Sequence, residues 1–283
     1  MTSDSGLNEE SALLDYGITR FGDGFAEKRS DALAVEEPLE IRLRWLCDGR
    51  WQEEPLTITM RTPGYDRELA AGLLLSEGIV QRREQILALE NGEHSNVMLV
   101  QLASDHQLDI KRFQRNFLST SSCGICGKMA IESLQLIHQP QLNHMMPAIA
   151  PTLLQSLPEQ LKSSQSLFQK SGGMHAAGLF NVDGDLLMLC EDVGRHNAVD
   201  KLLGACLLEQ AISISDCVLL VSGRAGFEIV QKALAANIAL LAAVGAPTSL
   251  AIDLARAHGM TLVGFLKADG FNCYSGEQRL RSA

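Results

Sequence analysis

The chain is predicted to fold as an α/β protein, with a helix-covered parallel sheet in its second half and a smaller α+β unit before it. Three observations predict this. From Asp216 on, short apolar runs alternate with amphipathic segments, the pattern of strands that run parallel beneath their crossover helices. In residues 33–45 and 56–61 the apolar residues instead alternate with polar ones, as in half-buried antiparallel strands. The 283 residues, 46% hydrophobic and 20% charged, have a mean hydropathy near zero, enough for one large or two ordinary globular domains.

In chain order, residues 1–30 are expected to be flexible and residues 31–118 to form the α+β unit. Within that unit LAVEEPLEIRLRW (33–45) and LTITMR (56–61) read as strands. After Pro63-Gly64, YDRELAAGLLLSEG places Leu69, Leu73 and Leu74 at helical spacing, with Asp66 near the cap and Gly78 closing the helix. An extended pair then flanks ENGEHSN. Residues 119–170 hold a Cys-x-x-Cys motif and a crossover segment marked by Pro140, Pro147, Pro151 and Pro158. Residues 171–283 form the second domain. It opens on AAGLF-NVDG-DLLMLCEDVG, a hairpin around Asp183-Gly184, followed by the helical HNAVDKLLGACLLEQA. Strand DCVLLVSG, helix AGFEIVQKALAAN, strand IALLAAVG, helix TSLAIDLARAHG capped by Thr248 or Ser249, and a last strand MTLVGFL complete it.

Several function classes are disfavoured. The formal charge of −10, without a dense Lys/Arg cluster, gives nucleic acid little to bind. The start, MTSDSGLNEESALLDYG, lacks the basic and apolar regions of a signal peptide, and the best apolar run, Ile238 to Ala246, is about half a membrane span. Seven cysteines, five of them scattered singly, suit a reducing compartment. A cytoplasmic location with no membrane contact is expected. G-x-x-x-x-G-K-[ST] is absent, and Gly22-Asp23-Gly24 does not continue into a dinucleotide fingerprint.

The chemistry-bearing motif is Cys123-Gly124-Ile125-Cys126, between the cap-forming Ser119-Thr120-Ser121-Ser122 and the helix-like KMAIESLQLI. A thiolate at a helix start is favoured by the dipole, and a second thiol three residues on could attack a persulfide or disulfide on the first. Gly124 and Gly127 make a loop the competing local structure. Cys123, Cys126, His138 and His144 also follow a spacing close to that of a zinc finger, but Pro140 breaks the helix that would present both histidines, so no zinc is expected. A zinc deaminase would need H-x-E and P-C-x-x-C; no Pro precedes Cys123, and Ala-Ala follows His175.

If the late strands are parallel, their carboxyl ends bring together Ser222-Gly223-Arg224, the loop from Gly245 through Thr248 and Ser249, and Lys267-Ala268-Asp269-Gly270, the edge outside which ligands bind. Two of these loops open helices whose free N–H groups suit a phosphate, and Arg224 adds bidentate charge, so a nucleotide-like anion is expected. Tight turns and caps are the plainer reading of each loop. His175, Arg195, His196 and Asn197, set among glycines and helix-start signals, either line the same cavity and shuttle protons or make structural hydrogen bonds.

Taken together, LAVEEPLEI, TMRTPGYDRELAAGLLLSEGI, TSSCGICGK, SGGMHAAGL, EDVGRHNAVDKLLG, SGRAGFEIVQKA, APTSLAIDLA and GFLKADGFNCY resemble, in order, the formate dehydrogenase accessory proteins called FdhD. The likeness runs from about Leu33 to Tyr274. It implies a sulfurtransferase that takes sulfur from a cysteine desulfurase as a persulfide and passes it to the bis-molybdopterin guanine dinucleotide form of the molybdenum cofactor, before formate dehydrogenase receives the cofactor. It implies a persulfide on Cys123, a second thiol at Cys126, cofactor contacts from Phe265, Leu266, Lys267, Ala268, Asp269 and Gly270, and a second domain similar to cytidine deaminases without their zinc. The chain departs from the family pattern at Lys267, Ala268, Gly270 and Cys190. A thiol–disulfide redox module, a cofactor-binding chaperone without catalysis, and a homodimer stay open.

Overall fold

The computed structural model describes residues 9–22, 24–92, 95–103, 140, 142–143 and 145–281. The α/β prediction holds: among the described residues, six helices and one further helical turn accompany three sheets of two, four and six strands.

The flexible start expected for residues 1–30 is corrected from residue 9 onward. A helical turn, Glu9–Ala12, leads into an antiparallel ribbon of β1 (Leu13–Gly22) and β2 (Phe25–Ala34), paired from Leu13↔Ala34 to Gly22↔Phe25. Gly24 supplies the positive φ (+80°) that the reversal requires. Most side chains of the ribbon are exposed, Tyr16, Phe21 and Phe25 included, so no burial pattern announces it.

The four-stranded sheet runs β4-β3-β6-β5, with β3 (Glu37–Cys47), β4 (Arg50–Arg61), β5 (Ile86–Asn91) and β6 (Val97–Leu102). β3 begins later than expected because the Val35 N–H donates back to the Ala12 carbonyl (2.9 Å). β4 is longer than LTITMR because Asp48 and Gly49 form a two-residue turn (φ +49° and +72°), and pairing continues to Cys47↔Arg50. Helix α1 (Asp66–Ser76) links β4 to β5 and buries Leu69, Leu73 and Leu74, as its spacing predicts. Asp66 does not cap it; its carboxylate accepts two bonds of 2.9 Å from the buried Arg61 guanidinium.

The proline-marked crossover contains helices α2 (Pro151–Ser164) and α3 (Ser166–Ser171). Pro151 occupies a first-turn position, where a missing N–H costs nothing. Pro158 lies inside α2, which stays helical around the buried stripe Leu154, Leu157 and Leu161.

The six-stranded sheet runs β12-β11-β10-β9-β7-β8. The predicted hairpin is β7 (His175–Phe180) with β8 (Leu186–Asp192), followed by α4 (Arg195–Glu209). β9 (Val218–Val221), α5 (Phe227–Ala235), β10 (Leu240–Ala243), α6 (Ser249–Ala257) and β11 (Thr261–Lys267) follow as expected, with β9, β10 and β11 parallel. Thr248 caps α6 by accepting from the Ala251 N–H (3.4 Å). A strand not foreseen, β12 (Gly270–Ser275), returns antiparallel to β11, and β7 runs antiparallel to β9, so the sheet is mixed. Alternate residues face opposite layers: Val218, Leu220, Leu240 and Ala242 pack with α2, while Leu219, Val221, Leu241 and Ala243 pack with α4, α5 and α6.

One apolar cluster runs from Leu39 and Ile41 of the first sheet to Leu219 and Leu241 of the second, so the two halves share a core. Their junction is the crossing of α1 and α4 at Gly72 and Gly204. A Cβ on Gly204 would lie 1.8 Å from the Glu68 carbonyl oxygen, and one on Gly72 1.8 Å from that of Asp200. Only glycine allows backbones so close. At the far end, Ala103 donates to the Gln85 carbonyl (2.9 Å) just before the cysteine segment, and buried Arg279 secures the chain after it. The Arg279 guanidinium donates to the carbonyls of Asn143, Met146 (3.0 Å) and Gly259 (2.9 Å) and to Thr261 Oγ1 (3.0 Å). Among the described residues no helix is long and apolar enough to cross a membrane.

Candidate functional site

The carboxyl ends of β8, β9, β10 and β11 and the amino ends of β7 and β12 lie on one edge of the six-stranded sheet, where α4, α5 and α6 begin. Its floor is backbone. The Phe265 N–H donates to Gly245 O (3.1 Å), the Gly245 N–H to Gly223 O (3.0 Å), and the Ser222 N–H to Ala176 O (3.0 Å), so the ladder continues one to two residues past the ends of β9 and β10. A Cβ on Gly245 would meet Gly223 O at 2.9 Å and Arg224 Cα at 3.1 Å; the loops can touch because Gly245 has none. Phe265 holds φ +54°, a conformation costly for a side chain this size, and is exposed at a bulge of β11.

One wall is fixed from the amino-terminal half. Asp192, at the end of β8, is fully buried; its carboxylate pairs with Lys201 Nζ (2.7 Å) and accepts from the N–H groups of Thr62 (3.1 Å) and Gly194 (2.8 Å). Lys201 also donates to Thr62 O (2.8 Å), and the Val193 N–H donates to Thr62 Oγ1 (3.2 Å). This network sets where α4 starts, and so where Arg195 and His196 stand.

His175 pairs with Asp192 in register and lies against Gly223: a Cβ there would be 3.4 Å from His175 Nδ1 and 3.7 Å from Arg195 Cδ. Burial, then the charge of Arg195 and the proximity of His196, hold the His175 imidazole below its ordinary pKa. His196 Nε2 meets Glu228 Oε2 at 3.0 Å, and that bond, with nearby positive charge, lowers the Glu228 carboxyl despite partial burial.

The structure thus gathers His175, Arg195, His196, Arg224, Thr248, Ser249 and the Lys267–Gly270 corner along one edge, with Arg224, Thr248 and Ser249 exposed. Two expected residues are placed otherwise. Asn197 is buried, its amide donating to Met60 O (2.7 Å) and Asp192 Oδ1 (3.2 Å) and accepting from Thr59 Oγ1 (3.2 Å). Leu266 points into the core beside α2. Lys267 and Gly270 pair across a hairpin turn, which leaves Ala268 and Asp269 at an exposed corner. Cys190 also faces the core, where burial pushes its thiol up to about 12. Sequence reasoning missed Glu228, Asp192 and Thr62. The acidic Glu191-Asp192 before Gly194 was a signal for the second; nothing marked the other two.

Cys123 and Cys126 lie outside the described residues, as do His138 and His144 of the zinc-finger-like spacing. Among the described residues no three His, Cys, Asp or Glu side chains gather as a metal site.

A family model described as FdhD/NarQ matches residues 34–281. The sulfur carrier protein FdhD of Streptomyces avermitilis is 44% identical over 272 residues, covering 93% of this chain and 94% of that protein. The protein of the same name from Saccharolobus solfataricus is 40% identical over 265 residues, covering 94% and 97%. A crystal structure from Desulfotalea psychrophila, described as a formate dehydrogenase accessory protein, superposes with a TM-score of 0.72 at 22% identity and covers 95% of this chain and all of that one.

Proposed function

The chain belongs to the FdhD/NarQ family, and on that premise we propose that it is a sulfur carrier that receives sulfur on Cys123 and delivers it to a guanine-dinucleotide form of the molybdenum cofactor held at the sheet edge, in the service of a formate dehydrogenase. The relatives' shared description supports the carrier role; the edge is what supports the cargo.

A cysteine desulfurase is the donor in this reading. The Cys123 thiolate attacks the outer sulfur of the donor's persulfide; the donor's S–S bond breaks, its cysteine leaves as thiolate, and a new S–S bond forms on Cys123. One sulfur atom moves and no electrons are gained or lost overall. Cys126 can then attack the inner sulfur of the Cys123 persulfide: that S–S bond breaks, the outer sulfur leaves as sulfide and a Cys123–Cys126 disulfide forms, so the two thiols supply the two electrons of release, and cargo must be in place to take the sulfide.

The cargo's pyrophosphate is anionic, and the edge offers what an anion needs on a chain of net charge −10. The first N–H groups of α6 are those of Ser249 and Leu250, next to Thr248, whose own N–H is given to Ala225 O (3.2 Å); the Arg195 side chain lies against Gly223, exposed Arg224 follows with its backbone against Gly245, and exposed Lys267 stands at the far end. This convergence of helix starts and fixed cations at one set of strand ends is the observation that carries the reading.

Incubation with a desulfurase and cysteine should add about 32 Da, the mass of one sulfur atom, to the wild type but not to Cys123→Ala. Calorimetry should show GDP binding weakened by about ten- to a hundred-fold in Arg224→Ala, the worth of one charge-assisted contact. A mass gain that survives Cys123→Ala and disappears in Cys126→Ala, or a wild type that binds no GDP, overturns the proposal.

A further inference from the structure

The edge carries one feature that an anion-binding surface does not need: an exposed carboxylate. Glu228, in the first turn of α5, keeps about half of its side chain in solvent and is anchored at Oε2 by His196 Nε2 (3.0 Å). The other acids near this edge are differently placed. Asp192 is buried and paired with Lys201, Glu191 is buried and accepts from the N–H groups of Leu167 and Phe168 at the start of α3, and Asp269 sits on the outer corner of the β11–β12 turn. Glu228 Oε1 has no hydrogen-bond partner among the described residues, and Oε2 retains a lone pair beyond the one His196 occupies.

An ionised carboxylate repels phosphate, so the Glu228 end of the edge is not the pyrophosphate end. The remaining anion-binding groups, the α6 start at Thr248 and Ser249 and the Lys267 side chain, belong to the β10 and β11 ends. Neighbouring strands lie about 4.8 Å apart, so the end of β9, which leads into α5, and the end of β11 are separated by roughly 10 Å. That is the scale of a nucleotide from purine to diphosphate. Arg224 lies between, its backbone against Gly245.

We propose that Glu228, oriented by His196, is the specificity-determining residue that reads the purine, which fixes the bound nucleotide with its base toward α4 and α5 and its phosphates toward α6 and β11. The chemistry selects guanine. Guanine presents two adjacent donors, N1–H and the exocyclic amine, which the two oxygens of a carboxylate accept together. Adenine presents an acceptor where N1–H would be, and its lone pair opposes the carboxylate. Hypoxanthine keeps N1–H and lacks the amine. Xanthine has a carbonyl in place of the amine, which repels a carboxylate and accepts from a carboxamide. His196 holds one carboxylate oxygen so that the side chain keeps its geometry before the base arrives.

This inference rests on the nucleotide reading above, and the experiment separates the two. GDP, IDP, ADP and XDP are titrated calorimetrically into wild type, Glu228→Gln and His196→Asn, with urea melts to verify folding. Wild type should prefer GDP over IDP by about tenfold or more and discriminate strongly against ADP and XDP. Glu228→Gln should lose about ten- to a hundred-fold in GDP affinity and gain XDP binding, and His196→Asn should narrow the GDP-to-IDP ratio. A wild type that binds none of the diphosphates overturns the nucleotide reading itself, and this inference with it. GDP binding that is intact in wild type, with unchanged base preference in Glu228→Gln, overturns only the role of Glu228. Should Glu228→Gln melt early, the GDP, IDP and XDP ratios of wild type and of His196→Asn decide alone: a wild type indifferent to the base ends the proposal.

Discussion

Replacing Lys201 by methionine should cost the protein roughly 3–5 kcal/mol, the usual consequence of leaving one member of a buried ion pair without its partner. Both members are fully buried, 2.7 Å apart, and no solvent reaches Asp192 to replace the lost ammonium. Three N–H donors remain on that carboxylate, from Thr62, Gly194 and the Asn197 amide, which places Lys201→Met toward the lower end of the range. Asp192→Asn should cost at least as much: an amide NH2 must face N–H donors, and Lys201 keeps only the Thr62 carbonyl. The double variant removes both charges and should be less destabilised than the sum of the singles by about 2 kcal/mol or more. With a urea m-value of about 2 kcal/mol/M, the Lys201→Met midpoint falls by roughly 1.5–2.5 M. Urea melts followed by circular dichroism measure all four corners of the cycle. A Lys201→Met cost below about 1 kcal/mol, or singles that simply add, would refute the view that this pair holds the wall of the site in place.

Two further outcomes follow from the geometry. Gly204→Ala gains about 1 kcal/mol of helix propensity but sets a methyl 1.8 Å from the Glu68 carbonyl oxygen, so a net loss of about 2 kcal/mol or more is expected in the same melts, and a gain would contradict the packing. His175 titrates below its ordinary value because of burial and the nearby Arg195 and His196; its folded value is therefore the depressed one, and its contribution to stability is present above the ordinary histidine pKa and lost as pH falls through the lower, folded value. Proton NMR of the His175 ring should find a midpoint below that of a free imidazole, and His175→Asn should flatten the decline in stability below about pH 6.5; a His175 midpoint at or above that of a free imidazole would contradict this placement.

The carboxyl-terminal half was legible because its central strands β9 and β10 are short and buried on both faces and its elements are punctuated: Asp183-Gly184 turns the β7–β8 hairpin, and Thr248 caps α6 where expected. Such signals are local. The three strands not foreseen at the margins, β12 and the two of the β1–β2 ribbon, are exposed edges whose residues need not alternate, and the Ala268-Asp269 turn, expected as part of a ligand loop, also closes the β11–β12 hairpin. Asp48-Gly49 carries the same turn signal as Asp183-Gly184, but the strand beyond it, Arg50 to Pro55, is polar and exposed and so shows no apolar alternation. At the site, spacing and helix starts gathered the cationic residues on one edge. It could not separate Arg195 and His196, which face that edge, from Asn197, which turns inward to Met60 and Asp192, because that choice depends on contacts across more than a hundred residues of sequence.

The two anchors on either side of the cysteine segment bear on how often a loaded thiol meets its target. Ala103 is bonded to the first half of the protein through Gln85, and Asn143 and Met146 are bonded to the second through Arg279. Cys123 lies twenty residues beyond the first anchor and Cys126 seventeen before the second, so the contour keeps both thiols within about 60–70 Å of fixed points on the body. On the proposed reading, a segment held at both ends makes the meeting of carrier and cargo intramolecular, at an effective concentration bounded by the segment's contour length. On the proposed reading, Cys123 then needs no affinity of its own for the nucleotide, and the transfer rate within one loaded molecule should not change as the protein is diluted.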